Sequence, residues 1–318
     1  MIWGTLTALL PLPRPLQLGA SRTQQVENGS VDRSTTPHVH ESGRPGSPAI
    51  VFLQGVGASG RMWEEHMRRL TAYHCLAPDL PGHGRSNRVP WRSLADTSEQ
   101  VARLIETRFP SRRAHVVGLS LGGAVAHTLL ARRPELLDRV VIDGCGALPA
   151  WWVGLTKLGV AVVSPFVHRG AVIGVIAQAL GIDPADSARF AANMRAASPR
   201  AFRRAFAEAN SIRLSPEEVA APNPTLLVAG EREPTIVRAS NAAQAALMPH
   251  AVARFAPGRA HGWLAVDPEL HLRMVQAWID GQQPPAELVT ETTPWSRAQV
   301  ARLLGRPESE LESPARRG

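Results

Sequence analysis

The chain has 318 residues, 44% of them hydrophobic and 19% charged, proportions that support a packed core and exclude a disordered or fibrous protein. Its formal net charge is +8, and because Lys157 is the only lysine, arginine carries almost all of the positive charge. Aromatic residues total only 5%, so the basic surplus lacks the stacking side chains of a nucleic-acid surface, and no nucleic-acid partner is expected.

Residues 1–47 are rich in Ser, Thr, Pro and Gly and are expected to be largely disordered, apart from a short edge strand at His38-Val39-His40. The apolar start, Met1 to Leu10, lacks a basic n-region and runs into Pro11, Pro13 and Pro15, which makes a poor secretory signal. Only Cys75 and Cys145 are present, which provides neither a disulfide framework nor a zinc cluster; a reducing, cytoplasmic compartment is expected.

Regular structure starts at residue 48, the first of a core made of two segments, 48–146 and 216–282. Short apolar runs at Ala49–Leu53, His74–Ala77, Ala114–Val117, Val140–Ile142, Thr225–Ala229 and Ala251–Phe255 predict buried strands. Helical patterns lie between them at Gly60–Leu70, Leu94–Phe109, Leu121–Arg132 and Ala239–Leu247, and Leu270–Ile279 closes the series. That alternation implies an α/β fold with a mostly parallel sheet covered by helices. From 147 to 215 the strand signal stops, which predicts an inserted helical lid. Its most apolar stretch, Leu148 to Ile182, is cut by Lys157, Pro165, His168 and Arg169, so no membrane span is expected. The tail, 283–318, is polar; Thr293 and Pro294 there predict the start of a short helix ending near Leu304.

The chemistry centres on Gly118-Leu119-Ser120-Leu121-Gly122, a G-x-S-x-G pattern that follows an apolar strand and opens a helix. Such a turn holds a serine in a strained conformation, and small residues two positions to either side avoid clashes in the reversal. A hydroxyl is too weak an acid to attack unaided at neutral pH, so it needs a base, and the base an orienting carboxylate. His261, in Gly258-Arg-Ala-His-Gly-Trp263 just beyond the last strand, is the expected base. Glu233, in the loop after Ala229, is the expected acid; Glu231 in the same loop and Asp143 at the end of the fourth strand are its rivals. The Leu121 N–H and, from Gln54-Gly55-Val56-Gly57, the Val56 N–H are the candidate oxyanion donors.

With these residues assembled, the chain resembles the α/β-hydrolase family, in particular its lid-bearing, esterase-like branch, from about Ala49 to Gly281. Asp79-Leu-Pro-Gly-His-Gly-Arg-Ser86 is similar to that family's turn after the second of these strands. The resemblance implies Ser120 as nucleophile, His261 as base, Glu233 at the acid position, and Val56 with Leu121 as oxyanion hole. It also marks two departures, Gln54 where the family usually has histidine and Glu233 where it usually has aspartate. The implied activity is cleavage of a carboxylic ester, lactone or thioester through an acyl-serine, with no metal or cofactor. A cofactor-free carbon–carbon hydrolase or lyase, and a non-catalytic ligand-binding protein, stand as alternatives. In the lid, Trp151, Trp152 and Phe166 are expected to meet an apolar acyl or ring group. Arg195, Arg200, Arg203 and Arg204 make the same segment basic, which would favour an anionic small molecule or present a solvated helix face.

Overall fold

The computed structural model describes residues 37–147, 159–182 and 187–290. The expected short helix from Thr293 and the residues before Pro37 lie outside this range.

Seven strands form one sheet in the order β1-β3-β2-β4-β5-β6-β7, where β1 is Val39–Ser42, β2 Ala49–Leu53, β3 His74–Pro78, β4 Ala114–Leu119, β5 Leu137–Asp143, β6 Thr225–Gly230 and β7 Ala251–Ala256. All neighbours run parallel except β1, which pairs antiparallel with β3 from Val39 opposite Pro78 to Ser42 opposite Cys75. The mostly parallel sheet follows from the strand sequences: β2, β3 and β6 are buried at every position, which requires cover on both faces.

Alternation along β2 shows how the cover is divided. Val51 and Leu53 join Val116, Ile142 and Leu227 against helices α2 (Leu94–Arg108), α3 (Leu121–Arg132) and α8 (Thr235–Leu247). Ile50 and Phe52 join Val117, Val141 and Val228 on the opposite face, against α1 (Glu64–Arg69) and α10 (Pro268–Ile279). Each such side chain contributes about 1.5–3 kcal/mol when fully buried. A one-residue slip of β2 would exchange the two sets.

Between β5 and β6 the chain builds helices instead of strands. Residues 159–163 are helical and lead through a 3₁₀ turn, Ser164–Phe166, into α4 (Gly170–Leu180), α5 (Ser187–Ala196), α6 (Pro199–Ala209) and α7 (Pro216–Val219). Local chemistry sets the boundaries of the last two. Ser198 accepts from the Ala201 N–H ahead of Pro199, and Ser215 accepts from the Glu218 N–H ahead of Pro216; each pair is an N-cap followed by a proline that has no N–H to leave unsatisfied.

Three boundaries differ from the sequence expectation. Gly60–Trp63 is a 3₁₀ turn, and α1 begins only at Glu64, because the Gly60 N–H is drawn to the Asp79 carboxylate at 2.7 Å. β5 starts three residues early, at Leu137. The chain after Gly281 returns to the sheet: Val289 exchanges two backbone hydrogen bonds with Phe255, at 2.8 and 3.0 Å, so this part of the tail is a bridge on β7 rather than free polar chain. Among the described residues no helix is long and apolar enough to cross a membrane.

Candidate active site

Ser120 sits between β4 and α3 with φ 53° and ψ −107°, a left-handed conformation that among the described non-glycine residues only Arg112 shares in the sign of φ. Two backbone bonds hold it there: its N–H donates to the Asp143 carbonyl at 2.8 Å, and its carbonyl accepts from Ala124 N–H at 2.9 Å. The flanking glycines are dictated by space. A Cβ on Gly118 would lie 2.3 Å from the Gly122 carbonyl oxygen, and one on Gly122 would lie 2.1 Å from the Leu53 carbonyl oxygen. Only backbone without side chains lets strand, turn and helix approach this closely.

The loop after β2 comes alongside this turn. At Gly55 the Cβ direction points to Ser120 Cβ, 3.7 Å away, which brings the Val56 segment next to the serine. Leu121 is the first residue of α3, where an N–H has no partner within the helix. Gln54 is fully buried, and its Nε2 donates to the Ala58 carbonyl at 3.0 Å, bracing the loop from inside. The glutamine therefore buttresses the loop.

His261 lies in the loop between β7 and the short helix α9 (Trp263–Val266). Its Nδ1 is 2.9 Å from Glu233 Oε2, and Glu233 Oε1 accepts the Gly230 N–H at 3.2 Å. Glu233 is itself buried. Burial pushes the His261 pKa down, but the charge and hydrogen bond of Glu233 outweigh it and leave the imidazole above its ordinary range.

Asp143, the rival acid, is placed otherwise. It ends β5 with no exposure to solvent; Oδ1 accepts from Trp263 Nε1–H at 3.1 Å, and Oδ2 shares a 3.3 Å hydrogen bond with His271 Nε2. Burial, reinforced by the nearby Glu233 charge, pushes its pKa up to about 8. His271 Nδ1 meets His66 Nε2 at 2.8 Å, so a buried chain runs Asp143–His271–His66. Burial holds these imidazoles neutral, down to about 3 for His271 and about 2 for His66, where the His271 charge adds to the effect. Both Asp143 oxygens face groups other than His261. The other rival, Glu231, accepts the Gly258 N–H at 2.7 Å and closes the loop.

The described part of the insert has a small buried cluster of its own. Trp151 and Trp152 lie outside the described residues. Phe166 is 44% exposed, with the Arg169 guanidinium 4.7 Å from its ring centroid, and it is absent from the buried cluster of the insert. That cluster is Val167, Ile173, Met194 and Phe202, with Val56 packed against it. A Cβ on Gly57 would lie 2.2 Å from Met194 Sδ, so α5 rests directly on the loop after β2. Ser59 Oγ also donates to Asn193 Oδ1 at 3.1 Å. Arg195, Arg200, Arg203 and Arg204 are all exposed, as on a solvated helix face. Sequence reading missed Met194 and Phe202; the signal was the apolar spacing within α5 and α6. It also missed Trp263 as a partner of Asp143.

Comparison with known proteins agrees with this architecture. The model of the α/β hydrolase fold matches residues 48–262. The chain belongs to the α/β-hydrolase family. A 2-hydroxy-6-oxononadienedioate/2-hydroxy-6-oxononatrienedioate hydrolase from Pseudomonas is 28% identical over 137 residues, 42% of this chain and 47% of the relative. A lipase of Mycobacterium tuberculosis is 37% identical over 106 residues, 33% of this chain and 40% of the lipase. The match to these curated relatives thus spans less than half of their length. Among solved structures, the enol-lactonase from Burkholderia xenovorans superposes with a TM-score of 0.65 at 19% identity, over 77% of this chain and 96% of that one, a likeness of fold.

Proposed function

We propose that this α/β-hydrolase cleaves a carboxylic ester, lactone or thioester by way of an acyl-Ser120 intermediate. Two observations carry the reading: the 2.9 Å pairing of His261 Nδ1 with the buried Glu233 carboxylate, and a serine held at positive φ in the turn between β4 and α3. Glu233 fixes the tautomer in which Nε2 is free to act as base, and it stabilises the imidazolium formed when that base takes a proton. Ser120 Oγ adds to the substrate carbonyl as His261 Nε2 accepts its proton. The Val56 and Leu121 N–H groups take the charge that develops on the carbonyl oxygen. Collapse of the tetrahedral intermediate breaks the carbon–oxygen or carbon–sulfur bond, and His261 protonates the leaving group. A water molecule, deprotonated by the same imidazole, then adds to the acyl carbon; release of the carboxylic acid restores Ser120.

The apolar cluster of Val167, Ile173, Met194 and Phe202, packed over Val56, supports a substrate with an apolar acyl or ring group. A fluorophosphonate probe and a panel of short-chain p-nitrophenyl esters, lactones and thioesters test the reading. Wild-type protein should label and turn over; Ser120→Ala should lose labelling and about 10⁵-fold or more of kcat. Wild-type protein that neither labels nor hydrolyses any panel member refutes it. Turnover confined to the carbon–carbon substrate for which the Pseudomonas relative is named moves the enzyme to that reaction on the same residues.

A further inference from the structure

At the other end of the sheet, two imidazoles and a carboxylate converge in a way the hydrolase chemistry does not use. His38 and His40 stand two residues apart at the start of the edge strand β1, an interval that puts both side chains on one face. Their rings meet edge to face at 4.7 Å. The antiparallel register sets this pair against the end of β3, where Asp79 follows, and one ligand atom from each of the three side chains lies within 4.8 Å of the others.

We propose that His38, His40 and Asp79 form a binding site for a divalent transition-metal ion, with Zn²⁺ as the best fit. Imidazole nitrogen with a single carboxylate suits that ion, and three protein ligands leave a fourth position for water. His40 Nε2 and Asp79 Oδ1 are 3.2 Å apart, close to the roughly 3.3 Å expected of two ligands bonded tetrahedrally to one zinc at about 2.05 Å. The widest separation in the set must close by at most about 1.5 Å, within the rotamer freedom of a half-buried imidazole.

The carboxylate is preorganised. Asp79 Oδ1 accepts the Gly60 N–H and Oδ2 the Arg85 N–H, each at 2.7 Å, and such outer bonds aim a ligand before the ion arrives. The strand is held as well, by the His38 N–H donating to Ser86 Oγ at 2.8 Å and the Asp79 N–H donating to the His38 carbonyl at 2.8 Å. One competitor is present: Arg85 Nη1 lies 3.3 Å from His38 Nε2, on an exposed side chain that must swing away when the ion binds. Residues 1–36 and 291–318 contain no histidine or cysteine, so the flanking segments bring no thiolate or imidazole to compete for the ion.

Equilibrium dialysis of the full chain against Zn²⁺, with the visible absorption of Co²⁺ as a second readout, tests the site. One equivalent should bind to wild-type protein and raise its thermal midpoint. His38→Ala and His40→Ala should each weaken binding at least ten-fold, and Arg85→Ala should tighten it by removing the competing cation. Asp79→Asn also weakens binding, but its carboxylate anchors two backbone donors, so the histidine variants decide. Less than one equivalent at 100-fold excess Zn²⁺, or undiminished binding in both histidine variants, overturns the proposal.

Discussion

The loops after β5 and β6 each present a carboxylate near the nucleophile turn, yet their surroundings give them opposite characters. Glu233 has one oxygen on the His261 imidazole and the other on a backbone N–H. Asp143 has an indole and a neutral imidazole for company and no solvent, and the charge of Glu233 acts on it as well, so it holds its proton to about pH 8. On the proposed mechanism the two carboxylates divide their labour, Glu233 orienting the His261 imidazole and Asp143 serving as a buried structural acid. Proximity to the nucleophile in sequence or space is therefore a poorer guide to the triad acid than the direction in which the oxygens point.

The largest test of this contrast is kinetic. Glu233→Gln should cost about 10⁴-fold in kcat, the scale for replacing a triad carboxylate by its amide. Asp143→Asn should cost less than about ten-fold, since its contacts are with Trp263 and His271; the reverse order in steady-state kinetics breaks the assignment. The pH profile sharpens it. His261 is active as a base only when neutral, and Glu233 is what raises its pKa against burial, so the acid limb of kcat/KM should move to lower pH in Glu233→Gln. In Asp143→Asn it should barely move.

A second pair extends the comparison to stability. His127 on α3 is hydrogen-bonded through Nδ1 to Glu218 on α7, both buried, and although burial alone lowers its pKa, the Glu218 charge and contacts with Cys145 carry it well above 6.5. Unlike the His271–Asp143 pair, this one is ionic. His127→Gln leaves a buried carboxylate without its cation and should cost about 3 kcal/mol in denaturant unfolding near pH 6. A raised histidine pKa gives stability that is complete below 6.5 and is lost as pH rises through the folded value, so the cost should shrink as the solution is made progressively more alkaline. A cost independent of pH would show that the pair is neutral.

An effect of the same kind is expected at Asp143. Its folded pKa of about 8 exceeds the ordinary 3.8, so wild-type stability falls as pH climbs between those values. Asparagine does not titrate. Relative to wild type, Asp143→Asn should therefore gain ground from pH 5 to pH 8, read as a difference in thermal midpoints. The smallest expected change is at the insert: Ser59→Ala removes a single hydrogen bond to Asn193 and should cost about 1 kcal/mol or less, with a modest rise in KM if the insert covers the substrate.

Much of the molecule was legible because its signals are local. Six of the seven strands follow from short apolar runs, and α3 is found with its predicted ends at Leu121 and Arg132 because a strained serine and the charge-rich Arg132-Arg133-Pro134 punctuate it. Ser198-Pro199 and Ser215-Pro216 mark helix starts by the chemistry of capping alone. The Ser120 turn was equally readable, since G-x-S-x-G between an apolar strand and a helix states its own backbone geometry. His261 and Glu233 could be named from their places after β7 and β6. Whether Glu233 or Asp143 faces the imidazole could not, because that depends on three loops meeting, and on Trp263 and His271 reaching Asp143 from 120 and 128 residues away. The insert was legible as helical but not in its contacts: Met194 and Phe202 reach Val56 while Phe166 turns to solvent, a choice made by packing between helices and not by hydrophobicity along them. Sequence determined the elements and the nucleophile turn, where period and turn chemistry act within a few residues. Tertiary structure decided partners and protonation, where burial and charge act between segments far apart in the chain.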